Sequence, residues 1–295
     1  MKKPEVILKN TASLGEGPVW DSKNSVLYFV DIDGCKLCAY DYKTGGYREF
    51  PAPGRLGAVS MCVTPGKFIC AVENNIYISD ISNISEDGAF TPFIENIYDT
   101  AGYIRFNDGK CDRTGRFYVG TIDFDGKKGR FYKITNDKNI FVCEENIACS
   151  NGIAFSRDDK YMYYIDTPSG FLWRYDYDPA TGNIENKTAF IDYRGEKGGF
   201  DGMTIDQNGD LWVALWGGFA VNRYDSKSGR KLGAIELPAP NVTSCEFGGD
   251  DMDILFITTH GGADEAMKKE YPLAGSVFAL EIGDAAGLEC NKFAL

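Results

Sequence analysis

Short apolar runs alternate with polar positions along the whole chain, and clusters of Gly, Asn, Asp and Thr separate them. Alternation with a period of two predicts half-buried strands rather than helices. One phrase recurs: a small or polar residue, an alternating apolar segment, a turn, and a second strand. Gly15-Glu16-Gly17-Pro18-Val19-Trp20-Asp21 leads to Val26-Leu27-Tyr28-Phe29-Val30. Phe106-Asn107-Asp108-Gly109-Lys110-Cys111-Asp112 leads to Arg116-Phe117-Tyr118-Val119-Gly120. Ser150-Asn151-Gly152-Ile153-Ala154-Phe155 and Phe200-Asp201-Gly202-Met203-Thr204-Ile205-Asp206 open two further copies, and weaker ones begin near Ala58 and near Ser244.

The copies start at Glu16, Ala58, Asn107, Asn151, Asp201 and Ser244. A spacing of about 40 to 50 residues with several short strands per copy is the signature of propeller blades. Most copies add a third strand and a charged turn, as in Leu37-Cys38-Ala39-Tyr40-Asp41 before Thr44-Gly45-Gly46. Val277-Phe278-Ala279-Leu280 reads as the third strand of the last blade, and Glu5-Val6-Ile7-Leu8 as its outer strand. That pairing would close the ring and leave no free edge there. The expected fold is therefore all-β, a six-bladed propeller forming one domain over residues 1–295. Ser82 to Tyr103 is less regular and is expected to carry a loop over one face.

The net charge of −12 argues against nucleic acid and anionic membrane surfaces as partners. No run of 18 apolar residues and no apolar signal core after Met1-Lys2-Lys3-Pro4 are visible, so a cytoplasmic protein is expected. Nine cysteines, an odd number, read as free buried thiols. Cys35 and Cys38 form a single CxxC with no second pair for a zinc ribbon. The chain has one histidine, His260. A serine or cysteine hydrolase triad would have to use it, and a His-rich metal site is excluded. Its position before Gly261-Gly262 suits the end of a strand. The tryptophans at 20, 173, 212 and 216 suit blade packing, with Trp216-Gly217-Gly218 near the mouth, within stacking reach of a sugar. Lys110 reads as a solvated residue pointing away.

The innermost strand of each blade lines the central channel, so matching positions of the repeats converge at one mouth. Those positions are Glu16, Asn107, Asn151 and Asp201, with Ala58 and Ser244 in the weak copies. Two carboxylates brought together raise a pKa or attract a cation. One divalent cation held by Glu16, Asn151 and Asp201 would resolve the conflict, and oxygen ligands suit calcium, magnesium or manganese. Gly17, Gly152 and Gly202 follow these residues and mark a bulge or a close backbone approach.

These stretches, together with Arg105-Phe106-Asn107-Asp108-Gly109-Lys110, Gly120-Thr121, Leu211-Trp212-Val213-Ala214 and Thr243-Ser244-Cys245-Glu246-Phe247-Gly248-Gly249, cover nearly the full chain in order. The chain resembles the senescence marker protein/gluconolactonase (regucalcin-like) family. The resemblance implies a six-bladed propeller with a central metal site, whose metal is calcium, zinc, manganese or magnesium. It implies hydrolysis of sugar lactones to aldonic acids. Carried over, the metal ligands are Glu16, Asn151 and Asp201, and Arg105 and Asn107 contact substrate. A further acidic contact falls after Gly120-Thr121 and is either Asp123 or Asp125. Asp201 is the expected base that takes a proton from the attacking water. The lactone's ring size would be set by loops such as Ser82 to Tyr103 and Asp123 to Arg130. Two other readings fit the same scaffold: a calcium-binding regulatory protein without turnover, and a related propeller esterase or phosphotriesterase.

Overall fold

A computed structural model of the chain describes residues 3–81, 89–98, 104–126, 128–262 and 264–295. Six four-stranded antiparallel sheets stand around one axis, each formed by strands consecutive in the chain except the last. The inner strands are Gly15–Asp21, Leu56–Met61, Ile104–Cys111, Ser150–Phe155, Gly199–Ile205 and Val242–Gly248, and they define blades 1 to 6 in that order. Each touches the inner strand of the next blade, and Gly15–Asp21 touches Val242–Gly248, which completes the ring. Blade 6 takes its outer strand from the other end of the chain: Glu5–Leu8 pairs with Val277–Glu281, with Glu5 opposite Ala279 and Val6 opposite Phe278. The expected closure is thus observed. It makes ladder partners of segments far apart in the chain and leaves only the four-residue strand Glu5–Leu8 as the outer edge of that blade.

Burial falls from the axis outward. Leu56–Met61 and Val242–Gly248 are buried throughout, whereas the outer strand Lys231–Glu236 is mostly exposed. Aromatic pairs fill the seams between blades. Trp20 stacks on Phe256 at 5.2 Å, Tyr28 meets Phe68 at 4.6 Å, Phe131 meets Tyr164 at 4.4 Å, and Trp212 meets Phe247 at 5.5 Å. Flat rings suit these wedge-shaped gaps because edge and offset contacts add to the area they bury. All nine cysteines are free, and Cys38, Cys62, Cys70, Cys111 and Cys245 are buried, as expected.

Residues 82–88 and 99–103 of the segment expected to form a loop lie outside the described residues. Between them, Ala89–Ile94 is the outer strand of blade 2, pairing with Asn75–Asp80. The expectation of an irregular segment is corrected to that extent: the Gly and Pro content masked a strand, and Pro is tolerated on an outer, edge strand. Among the described residues no helix is long and apolar enough to cross a membrane.

The C-terminal tail seals the end of the channel opposite the mouth. Gly287 bridges to Asp206 of blade 5, Asn291 donates to the Cys111 carbonyl of blade 3, and Phe293 bridges to Cys62 of blade 2. Leu288 to Asn291 line the floor of the channel cavity, of about 90 Å³. Phe293 is fully buried among Cys62, Cys111 and Phe117. Replacing Phe293 with Ala should cost about 3–5 kcal/mol in urea unfolding. A loss below ~1 kcal/mol would show that the tail merely lies on the surface.

Candidate metal and substrate site at the channel mouth

All six inner strands change register at the same level. The breaks fall at Glu16/Val19, Leu56/Ala58, Phe106/Gly109, Asn151/Ile153, Phe200/Met203 and Val242/Ser244. A bulge bends the strand and re-aims a side chain. Here each bulge sits where six strands crowd the axis. A Cβ on Gly152 would lie 2.8 Å from the Asp201 carbonyl, and one on Gly202 would lie 2.2 Å from Ser244 Oγ. Glycine is therefore required at these two places by the approach of the next blade.

Glu16, Asn107, Asn151, Asp201 and Arg105 are all buried at this level. A chain of hydrogen bonds orients the amides. Arg105 Nη1 donates to Asn107 Oδ1 at 2.6 Å. Asn107 Nδ2 donates to the Ser150 carbonyl at 2.8 Å and to Asn151 Oδ1 at 3.1 Å. Asn151 Nδ2 donates to Thr167 Oγ1 at 2.8 Å, and that hydroxyl donates to the Phe200 carbonyl at 2.8 Å. With its nitrogen committed to Thr167, Asn151 has its oxygen turned the other way, towards Asn107. Asn107 itself is engaged at both amide atoms, so in this structure it braces Arg105 and Asn151.

Among the described residues the carboxylates have no such side-chain partners. Glu16 Oε2 accepts only the N–H of Gly17, at 3.0 Å. Burial, then the charge of Asp108, holds the Glu16 carboxyl well above the usual carboxylate range. Asp201 is likewise raised by burial, then by Glu16 and Asp108. Asp108 was not singled out from the sequence. It follows Asn107, where the other strong repeats carry Gly, and its carboxyl is pushed up to about 6, chiefly by burial. The signal was present in the alignment: a lone charge at a position otherwise kept small.

Lys110 was expected to point into solvent. Instead it lies in the channel, where Nζ contacts Glu246 Oε2 at 3.1 Å and donates to the Met203 carbonyl at 3.1 Å. Glu246 also accepts from Thr204 Oγ1 at 2.6 Å. The correction follows from the bulge between Phe106 and Gly109, which resets the alternation of the strand just before Lys110.

Asp123 and Asp125 are now distinguishable. Asp123 is buried, and its two oxygens accept the N–H groups of Asp125 at 3.0 Å and Lys128 at 2.8 Å, fastening the loop after Phe117–Asp123. Asp125 is exposed on that loop. Between them Phe124 lies beneath Arg105, its ring 5.7 Å from the guanidinium carbon. His260 follows the strand Ile254–Thr259, as expected, and its ring meets that of Trp216 at 5.0 Å in a tilted contact.

Among the described residues no three His, Cys, Asp or Glu side chains are arranged to hold a metal ion. The candidate set is instead two carboxylates and one amide. Its donor chemistry suits a hard divalent cation: unpaired buried carboxylates and an oriented amide oxygen, with no soft ligand required.

The profile of the SMP-30/Gluconolactonase/LRE-like region matches residues 14–261. The chain belongs to that family. It is 31% identical to the pentonolactonase XacC of Haloferax volcanii over 94% of this chain and 93% of that one. It is 31% identical to regucalcin of Xenopus laevis over 99% and 98% of the two chains. The crystal structure of a calcium-binding protein, regucalcin, from Agrobacterium tumefaciens superimposes with a TM-score of 0.92, at 26% identity, over 100% of this chain and 98% of that one. The family resemblance read from the repeats is thereby confirmed, as is the six-bladed all-β fold.

A carboxyl whose pKa is raised on folding binds more protons in the folded chain. Its contribution to stability is complete below the ordinary value of 4.5 and is lost as pH rises through the raised value. In the presence of a chelator, the melting temperature should therefore fall between about pH 5 and about pH 9. Glu16→Gln should flatten the slope. A melting temperature that climbs over that interval would contradict this electrostatic arrangement.

Proposed function

We propose that the chain hydrolyses sugar lactones, aldonolactones such as gluconolactone or a pentonolactone, to aldonic acids, using one divalent cation held by Glu16, Asn151 and Asp201. The observation that carries this reading is the pair of buried carboxylates with no ion pair among the described residues, beside an oriented amide oxygen at the channel mouth. The relative named pentonolactonase supports the reaction class, and the calcium-binding regucalcin supports a divalent metal, whether calcium, zinc, manganese or magnesium.

A divalent cation in this site would polarise the lactone carbonyl and acidify a bound water. Asp201 takes the proton of the attacking water as general base. Arg105 is held by Asn107 on one nitrogen and presents its remaining N–H groups to sugar hydroxyls or the developing oxyanion. Asp123 keeps its loop in place, and Asp125 is the acid free to reach a hydroxyl. No step needs His260.

Titration of acid release from gluconolactone and pentonolactones, after chelation and with each cation added back, tests the reading. Activity should vanish with chelator and return with a divalent cation. Asp201→Asn should lower kcat by roughly 10²-fold or more with unchanged circular dichroism. A variant that kept most of its kcat would remove Asp201 from the mechanism. Arg105→Lys should raise KM and lower kcat together, because one ammonium does not replace the planar fork. Metal binding without acid release from any lactone would favour a binding protein, and turnover of an aryl ester alone would favour a propeller esterase.

A further inference from the structure

The polar groups at the mouth are unevenly distributed. Blades 1, 3, 4 and 5 bring Glu16, Asn107, Asn151 and Asp201 to it, and Arg105 stands on the blade 3 side. Blade 6 offers only Ser244 at the matching level. That side of the rim carries an aromatic pair instead. Trp216 ends the strand Leu211–Trp216 and pairs with Gly199, two residues before Asp201. His260 bridges to Leu14, two residues before Glu16. The two rings meet at 5.0 Å with 37° between their planes.

Trp216 is not a seam filler. Trp20 and Trp212 are 1% and 4% exposed, whereas Trp216 is 39% exposed. An indole exposed at the rim beside buried polar groups supplies the aromatic wall that small-molecule sites use. It is also held in place. His260 Nδ1 accepts from the Gly262 N–H at 3.3 Å and lies 3.2 Å from Asn241 Nδ2. The backbone donor assigns the proton to Nε2 and fixes the ring plane against which Trp216 rests.

We infer that Trp216, braced by His260, is a stacking platform for the C–H face of a cyclic polyol whose hydroxyl edge faces Arg105 across the mouth. The inference rests on the lactonase reading and deepens it. It assigns the preference for hydroxylated over plain lactones to the part of the rim between the strands that carry Asp201 and Glu16. Trp216 touches substrate, and His260 is a positioning residue acting through it. The geometry matches what a sugar ring demands: an apolar face against one wall and directional polar groups against the other.

Steady-state kinetics of Trp216→Ala, Trp216→Phe, His260→Ala and His260→Phe on gluconolactone and on unsubstituted δ-valerolactone test the inference. Trp216→Ala should raise KM for gluconolactone about tenfold and change kcat less than about threefold, the pattern of lost binding common to ground and transition states. Trp216→Phe should restore most of the loss. His260→Ala should shift KM in the same direction, and His260→Phe should recover it. For δ-valerolactone, which has no hydroxyl edge to orient it, KM should move less than about twofold. An unchanged KM for gluconolactone in Trp216→Ala, or an equal rise for both lactones, would overturn the platform while leaving the lactonase reading intact. If the wild-type protein hydrolyses no lactone, that reading fails, and titration of tryptophan fluorescence with 1,5-anhydroglucitol, a cyclic polyol without an ester, decides on the platform alone. A saturable change weakened in His260→Ala and recovered in His260→Phe supports it, and no saturable change in the wild type overturns it.

Discussion

Six inner strands share one axis, and there is not enough room there for six regular ladders. Every inner strand breaks register at one level, where neighbouring backbones come within contact distance of the glycines at 152 and 202. The crowding has an electrostatic consequence. Side chains at the bulges point at one another in a space removed from bulk water, so their charges are neither diluted nor screened. Asp108 therefore raises the pKa values of Glu16 and Asp201, and Glu16 raises that of Asp201, in addition to the effect of burial itself.

The molecule handles the same problem differently at two depths. Deeper in the channel, the chain supplies its own cation: Lys110 meets Glu246, which also accepts from Thr204. At the mouth no described lysine pairs with Glu16 or Asp201. The guanidinium of Arg105 is tied to Asn107 and to the Phe106 carbonyl through one nitrogen. Burying two carboxylates together is costly in a folded protein unless their charge is offset, and the oriented amide oxygen beside them suits the cation we propose there. The difference between the two depths is the physical basis for reading the mouth as a cation site and the floor as structure.

Rigidity around the mouth comes from elements remote from it. The pairing of the N-terminal strand with Val277–Glu281 closes the ring, and the C-terminal tail ties blades 2, 3 and 5 across the opposite face. Aromatic contacts fill the seams between them. The hydrogen-bond chain from Arg105 to Phe200 passes through three successive blades. Any rotation of one blade against the next would break it. Precise placement of the amides thus depends on how the whole ring is closed.

The repeat phrase alone was enough to determine the architecture, because a strand period of two and a blade spacing of about 40 to 50 residues are properties of local sequence. It also identified the level at which Glu16, Asn107, Asn151 and Asp201 meet, because matching repeat positions must converge on the axis. Three things were decided only by tertiary structure. Lys110 turned inward because the bulge before it reset the alternation, and a one-residue shift reverses every side chain that follows. Asp123 and Asp125 separated because the buried carboxylate of Asp123 is used by backbone N–H groups of its own loop. Asp108 joined the carboxylate group because its charge is felt across blades, by Glu16 and Asp201, which lie far from it in sequence. Periodicity records which face of a strand is apolar, whereas hydrogen bonding and through-space charge depend on neighbours that sequence order does not specify.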